Sequence, residues 1–113
     1  MIKFEIKDRE TGKTSTYSKE DITLGEAERF YETLEKMDRE AEKKNAKSAD
    51  IRKIERDYFV SLFADQGLTE EDILNNMSTR QYAKVSEDTF REIKGEDEED
   101  SEATSNETGK TEE

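Results

Sequence analysis

Residues 50–77 read DIRKIERDYFVSLFADQGLTEEDILNNM, and this stretch holds the densest group of large apolar residues in the chain. These residues recur every three or four positions, a spacing that stacks side chains along one side of an α-helix. They are Ile51, Ile54, Tyr58 and Leu62, and Phe59 and Phe63 widen the stripe. The stretch therefore predicts the central helix of the fold.

Local signals mark the end of this helix and the start of another. Gly67 stands where a left-handed residue would close the central helix. Thr69 and Asp72 have the spacing of a capping box, in which each side chain accepts the other residue's backbone N–H. A second, short helix is expected to follow. Its apolar residues are Ile73, Leu74 and Met77.

The composition limits the size of the core. Of the 113 residues, 29% are hydrophobic and 44% are charged, and Ala103 is the only apolar residue after Gly95. A segment without apolar residues cannot offset the entropy cost of ordering its backbone. We therefore predict one folded domain over residues 1–94 and a disordered acidic tail over residues 95–113.

The net charge of −12 is unevenly spread along the chain. Residues 1–94 carry 22 acidic and 18 basic side chains, a net charge of −4, whereas residues 95–113 carry nine acidic side chains and one lysine, a net charge of −8. Basic residues are interleaved with acidic ones, so no continuous basic stripe forms. We expect no nucleic-acid partner and no membrane association, since this charge repels phosphate groups and anionic lipid.

The N-terminus has the pattern of a β-hairpin. Ile2, Phe4 and Ile6 alternate with charged residues, which is the period-two signature of a half-buried strand. Residues 8–13 form a polar loop with a glycine near its end, and residues 14–17 form the returning strand. A two-stranded ribbon is only marginally stable alone, so its apolar face must pack on a helix.

A charged helix is predicted to begin at Leu24, after the capping-box pair Thr23 and Glu26. Its apolar residues form one stripe that should face the core: Ala27, Phe30, Tyr31, Leu34, Met37 and Ala41. Beyond Met37 nearly every residue is charged, so the far half of this helix should project into solvent.

Three further features complete the predicted architecture. Ser48 is expected to cap the central helix, and Gly95 should end the last helix. Residues 78–94 fit either one bent helix or two short helices divided near Ser86. The chain thus predicts an α+β fold that is mainly α, with an N-terminal β-hairpin, three to four helices and a disordered acidic tail.

The chain contains no histidine and no cysteine. This removes disulfides, thiolate metal sites and most acid–base and nucleophilic arrangements. Glu70, Glu71 and Asp72 lie together, but the first turn of a helix favours carboxylates for electrostatic reasons that need no catalytic role. We expect no enzyme activity, no cofactor and no metal site, and a cytoplasmic location.

Binding is the class of function that remains. The central helix carries one row of apolar residues through Tyr58 and a second through Phe59 and Phe63, which is more apolar surface than one partner helix covers. Two interpretations stay open. Either both rows belong to the core, or one row remains exposed and forms a protein-interaction face.

Two segments carry a resemblance to a known family. A strand pair leads into ITLGEAERFYETLEKM at residues 22–37, and DYFVSLFADQGLTEEDILNNM follows at residues 57–77, before the acidic tail. Together they resemble the tail assembly chaperones of long, non-contractile-tailed phages and prophages of Gram-positive bacteria. The most specific part is GLTEEDILNNM at residues 67–77.

The resemblance implies a non-enzymatic, mostly helical protein of the host cytoplasm that is not retained in the mature virion. Such chaperones coat the long tape measure protein, keep its apolar segments soluble and help recruit tail tube subunits. Family members often occur as a short form and a frameshifted, C-terminally extended form, and this chain resembles the short form. The longer form of the chain and further copies of itself are thus also expected as partners.

We hypothesise that Phe59, Phe63, Met77 and Tyr82 form the partner-binding surface. On this hypothesis, replacing Phe63 by Ala should weaken client binding more than folding. The alternative function is an acidic regulator or inhibitor, a nucleic-acid mimic or adaptor, that binds a basic partner. A mimic needs carboxylates ordered on a rigid surface, whereas two-thirds of the net charge lies in the predicted tail.

Overall fold

The computed structural model describes residues 1–95, so the predicted disorder of the acidic tail lies outside the described residues, Gly95 excepted. The elements in chain order are β1 (Ile2–Lys7), β2 (Thr14–Lys19), α1 (Leu24–Ala41), α2 (Ser48–Leu62), a 3₁₀ turn (Ala64–Gln66), α3 (Glu70–Asn76) and α4 (Thr79–Lys94). The predicted α+β, mainly α architecture of an N-terminal β-hairpin followed by helices is confirmed.

The two strands form an antiparallel hairpin in which Phe4 is paired with Tyr17. As the alternation predicts, β1 buries Ile2, Phe4 and Ile6, whereas β2 buries only Tyr17. In the loop, Asp8 accepts the backbone N–H groups of two residues that follow it, at 2.8 and 3.0 Å. These hydrogen bonds hold the pKa of the Asp8 carboxyl below its usual value, because they stabilise its charged form.

Side-chain amides attach the hairpin to the helices. Gln66, in the 3₁₀ turn, accepts the backbone N–H of Ser18 at 3.1 Å and donates to the same residue's carbonyl at 2.9 Å. Gln81, in α4, donates to the carbonyl of Glu5 in β1. These bonds give backbone groups of the two strands partners on the helices, and the apolar face of the hairpin packs on the helical layer as expected.

The junction between α2 and α3 follows the predicted signals with one addition. Helix α2 ends at Leu62, and the 3₁₀ turn separates it from Gly67, which has a φ of 93°. Both bonds of the capping box are present: Asp72 donates its N–H to the Thr69 hydroxyl and Thr69 donates to the Asp72 carboxylate, each at 3.1 Å. The predicted start of α3 is confirmed.

Helix α4 resolves the two alternatives for residues 78–94 in favour of one continuous helix. The Ser78 hydroxyl accepts the N–H of Gln81 at 3.0 Å and caps its start, and Gly95 closes it with a φ of 78°. Ser86 lies in the middle and does not divide the helix. Its hydroxyl is buried and has no hydrogen-bond partner among the described residues.

The start of α1 is confirmed and the start of α2 differs from its prediction. Thr23 and Glu26 form a complete capping box, and α1 begins at Leu24. Helix α2 begins one residue early, at Ser48, so Lys47 occupies the N-cap position without a side-chain hydrogen bond. The prediction that Ser48 caps this helix is therefore wrong, because its backbone is already helical.

Aromatic rings connect the elements through the core. Phe63, which is 0% exposed, lies edge-on to Phe4 with ring centroids 5.1 Å apart. Phe59 contacts Tyr82 of α4 at 5.5 Å. Further contacts join Phe30 of α1 to Tyr58 at 5.4 Å and to Phe90 at 5.3 Å. Helix α2 and Phe63, the residue that follows it, are thus central, since their rings reach the hairpin, α1 and α4.

The predicted apolar stripe of α1 is only partly buried. Ala27 and Phe30 lie in the core together with Thr33, whose hydroxyl donates to the carbonyl of Arg29 at 2.8 Å and so needs no outside partner. Tyr31, Leu34 and Ala41 are exposed. The prediction was wrong for these three residues, because the neighbouring helices cover only one side of α1 and leave its far end open. Residues 41–50 are exposed throughout, as expected for the charged far end.

Candidate functional site: an apolar groove between α2, α3 and α4

The structure divides the four predicted partner-binding residues into two pairs. Phe59 and Phe63 are buried in the core. Met77 and Tyr82 are half-buried and lie at the edge of a groove. Both apolar rows of α2 contribute to the core, so the surplus apolar surface expected on this helix is instead found on α3 and its junction with α4.

The groove has a volume of about 280 Å³. Helix α2 supplies a polar side with Arg52, Glu55 and Arg56, whereas α3, the junction and α4 supply the apolar residues Ile73, Leu74, Met77 and Tyr82, together with Ser78 and Thr79. Leu74 is 57% exposed although it is a large aliphatic residue on an ordered helix. The uncovered leucine beside partly buried Met77 and Tyr82 makes this groove the candidate binding site among the described residues.

Local sequence fixes the position of the apolar wall. Helix α3 starts at the Thr69 capping box and ends at Asn76, and α4 starts at Thr79. Only Met77 and Ser78 separate the two helices, and Met77 adopts an extended backbone with φ −91° and ψ 138°. The short junction keeps the end of α3 close to the start of α4, so their apolar residues line one groove.

Ion pairs attach the start of α3 to α2. Glu70 accepts hydrogen bonds from Lys53 and from Arg56, both at 3.2 Å. The bond from Lys53, followed by that from Arg56, lowers the pKa of the Glu70 carboxyl below its usual value. Glu70 therefore has a positional role in the structure, consistent with the expectation that the carboxylates at residues 70–72 are structural.

Tyr82 joins α4 to α2 at the side of the groove. Its hydroxyl donates to the Glu55 carboxylate at 2.9 Å. Burial, together with this hydrogen bond, raises the pKa of Tyr82 well above its usual value, so the phenol remains protonated and continues to donate. Arg52, at the rim, is exposed and forms no ion pair within residues 1–95.

Sequence reasoning identified Met77 and Tyr82 but did not assign Leu74 to the site. The available signal was the composition of α3, which carries two adjacent large aliphatic residues, Ile73 and Leu74, in only seven residues. Adjacent positions of a helix point about 100° apart, so a one-sided contact cannot bury both. Ile73 enters the core and Leu74 faces the groove.

The described residues carry neither a cluster of metal ligands nor a membrane-spanning helix. Within residues 1–95, no cluster of three or more acidic residues is placed to hold a metal ion. None of the helices in that range is both long enough and apolar enough to cross a bilayer. The described residues therefore define a small helical protein with a β-hairpin and an open apolar groove.

Comparison with known families identifies the class of this protein. The family described as phage tail chaperone protein matches residues 1–110. Because the match covers nearly the whole chain, the chain belongs to the phage tail chaperone family, and the resemblance to tail assembly chaperones inferred from residues 22–37 and 57–77 is confirmed. Searches of curated proteins and of solved structures give no significant match.

Proposed function

We propose that this chaperone binds an apolar helical segment of the tape measure protein in the groove between α2, α3 and α4. The exposed Leu74, flanked by Met77 and Tyr82, is the observation that carries this proposal. Membership of the tail chaperone family supports a tail protein as the client. The client segment would be an amphipathic helix whose apolar residues cover Leu74.

The size of the groove suits a transient complex. Its volume of about 280 Å³ is close to the lower end of the roughly 300–1,000 Å³ of ligand pockets. Each apolar side chain that becomes buried contributes about 1.5–3 kcal/mol, and the cost of association offsets much of that gain. A chaperone that must release its client during assembly requires this kind of modest affinity per site.

The remaining elements of the proposal follow from the family resemblance. The chaperone is non-enzymatic, acts in the host cytoplasm during assembly of a long non-contractile tail, and is absent from the mature virion. Its further partners are the tail tube protein, a frameshifted longer form and other copies of the chain. The phage or prophage infects a Gram-positive host.

Co-expression with the tape measure protein encoded nearby, followed by affinity purification of the soluble fraction, tests the groove. Leu74→Asp should reduce the recovered complex at least about tenfold, because it removes an apolar anchor and places a carboxylate where the client is apolar. Ala46→Asp is the matched control, since it adds the same charge at an exposed residue outside the groove.

Two results would contradict the proposal. A tape measure protein that stays insoluble and unbound with the native chain would exclude it as the client. Full recovery with a folded Leu74→Asp variant would exclude the groove as the binding site. Circular dichroism of each variant verifies that the helices are retained.

A further inference from the structure

Helix α1 presents a second apolar surface, which is separate from the groove. Leu24 is 88% exposed, Tyr31 is 48% exposed and Leu34 is 40% exposed. Spacings of seven and three residues keep these side chains on one side of the helix. We refer to Leu24, Tyr31 and Leu34 as the α1 ridge. None of the three lines the groove between α2, α3 and α4.

The ridge has a rigid base. Phe30, which is buried, contacts the ring of Tyr31 at 5.8 Å and the ring of Phe90 in α4 at 5.3 Å. Tyr31 is therefore continuous with the core although half of its surface is open to solvent. A partner that covers the ridge would extend an ordered apolar contact and would not need to order the helix first.

Three acidic residues lie beside the ridge, each at the same spacing from one of its apolar residues. Glu28, Glu35 and Asp38 each lie four positions after one of the three apolar residues, which places them on the same side of α1. All three are exposed, and none forms an ion pair within residues 1–95.

Two of the three basic residues in this part of α1 lie away from the ridge, and the third, Arg39, follows Glu35 by four positions. Arg29 and Lys36 line a cleft on the opposite edge of the helix, together with Asp57 of α2. The side of α1 that carries the ridge is therefore apolar and has three carboxylates against the one guanidinium of Arg39, a net negative charge.

We propose that the α1 ridge binds a basic amphipathic helix, with aliphatic residues on one face and lysine or arginine beside them. This inference rests on the proposed function only in that such a segment would belong to a tail protein client. The negative charge of the ridge disfavours two other occupants, a second copy of the chain and an anionic membrane. A second copy docked ridge to ridge would oppose carboxylates to carboxylates, and an anionic lipid surface would be repelled.

The ridge and the groove would then select different segments. The groove carries Arg52, a cation without an ion pair in the described range, at its rim. Like charges repel each other across an interface. A basic helix is therefore favoured at the anionic ridge and disfavoured beside the guanidinium of Arg52. One copy of the chaperone can in this way hold two segments of different charge.

Two synthetic amphipathic peptides test the proposal with the full-length protein. Both are 18-residue helices with the same leucine face (about 27 Å at 1.5 Å per residue); one carries lysines beside that face and the other carries glutamates. Fluorescence anisotropy measures binding at low and at high salt to the Leu74→Asp variant, whose altered groove no longer holds an apolar helix, so that the signal reports on the ridge. The lysine peptide should bind at least about tenfold tighter than the glutamate peptide at low salt, and the difference should shrink at high salt.

Variants of equal net charge distinguish the effect of the ridge carboxylates on peptide binding from the effect of the protein's overall negative charge. The double variant Glu35→Lys, Asp38→Lys should weaken binding of the lysine peptide about tenfold. Glu10→Lys, Glu20→Lys changes the net charge equally at exposed residues near the hairpin and should change binding less than about twofold. Leu34→Ser should weaken both peptides' binding at the ridge, because it removes an apolar contact without changing charge.

Several outcomes would overturn the proposal. Equal loss in the two double variants would assign peptide binding to net charge. A dimer of the native protein that Leu34→Ser converts to a monomer would assign the ridge to self-association. The peptide assay does not involve the tape measure protein, and Leu74→Asp should leave lysine-peptide binding unchanged. Failure of the ridge and failure of the groove can therefore be told apart.

Discussion

Phe63 closes the contact between the hairpin and α2. Its ring lies edge-on to Phe4 at 5.1 Å and to Tyr17 at 6.3 Å, and it is the largest side chain among those that are fully buried in the described residues. A ring in this position stabilises the folded state because its apolar surface is removed from water and because it packs against two aromatic neighbours. A direct role in binding would require it to leave the core.

Replacing Phe63 by Ala should therefore destabilise the protein. The expected loss in the free energy of unfolding is about 3–5 kcal/mol, a large share of the stability of a domain of this size. Urea unfolding followed by circular dichroism measures it. Tyr31→Ala, at a half-exposed ring, is the control and should cost less than about 1 kcal/mol. A Phe63→Ala protein of native stability that no longer binds its client would restore the surface role hypothesised from the sequence.

Glu26 connects three elements through one residue. Its carboxylate accepts the backbone N–H of Thr23 at 2.9 Å and the ammonium of Lys19 at 2.8 Å, and its carbonyl accepts the hydroxyl of Tyr58 at 2.8 Å. Burial raises the pKa of the Glu26 carboxyl, but the bonds from Lys19 and Thr23 outweigh it and hold the pKa below the usual 4.5. Burial also raises the pKa of Tyr58 to about 12.

The lowered pKa of Glu26 predicts a pH-dependent contribution to stability. Since the unfolded carboxyl takes up its proton first as the pH falls, the contribution is complete above about pH 5 and is lost toward the folded pKa. Glu26→Gln should cost about 1 kcal/mol at pH 7, and its deficit should shrink below about pH 4. Urea unfolding of both proteins at pH 7 and at about pH 3.5 tests this. A deficit that stays constant with pH would show that the charge of Glu26 does not contribute.

At the scale of elements, the start and the end of each helix depend on a few residues that are close in the sequence. The boxes at Thr23 and Thr69 and the cap at Ser78 each involve residues three positions apart, so their signals survive in any tertiary context. Gly67 and Gly95 end their segments in the left-handed region, where a side chain costs energy. These boundaries could be predicted for that reason.

Two glycine substitutions should have opposite effects. Gly67 has a φ of 93°, so Gly67→Ala should cost about 1 kcal/mol through backbone strain. Gly25 lies in the first turn of α1, where a new Cβ would meet only ordinary contacts at 3.9 Å. Gly25→Ala should therefore stabilise the protein by about 0.5–1 kcal/mol through helix propensity. The urea midpoints of the two variants should move in opposite directions, and a common direction would contradict this account.

The burial of α1 and the continuity of α4 are properties of packing between elements. Periodicity predicted that Tyr31 and Leu34 face the core, yet only one side of α1 is covered. Thr33 is buried in their place because its hydroxyl bonds within the helix. The irregular spacing around Ser86 allowed a break in α4, whereas the structure has one continuous helix that packs on β1 and, through Tyr82, on Phe59 of α2.

At the scale of the whole molecule, net charge and binding surface are separated along the chain. Residues 1–94 carry −4 of the net charge, whereas residues 95–113 carry −8. The groove and the α1 ridge both lie before residue 95. Binding through these surfaces and binding through a cluster of carboxylates thus depend on different parts of the chain.

Deletion of residues 96–113 should leave client binding largely intact. The proposed binding surfaces remain, and the unfolding midpoint should change little, because residues 96–113 contain a single apolar residue, Ala103, and can therefore bury little apolar surface. Each chain, truncated or full-length, is co-expressed with the tape measure protein, and the amounts of soluble complex recovered are compared. Loss of binding by a folded, truncated chain would favour the acidic regulator or inhibitor as the function.

The sequence by itself determined the capping boxes, the central position of α2, the family, and the order and type of the elements, apart from the 3₁₀ turn and the number of helices in residues 78–94. These features follow from hydrophobic periodicity, from capping signals only a few residues long, and from segments whose amino-acid sequence is typical of the family. The tertiary structure alone decided which apolar residues remain exposed. Phe63 is buried and Leu74 is open because burial depends on which neighbour covers a face, and that neighbour is distant in the sequence.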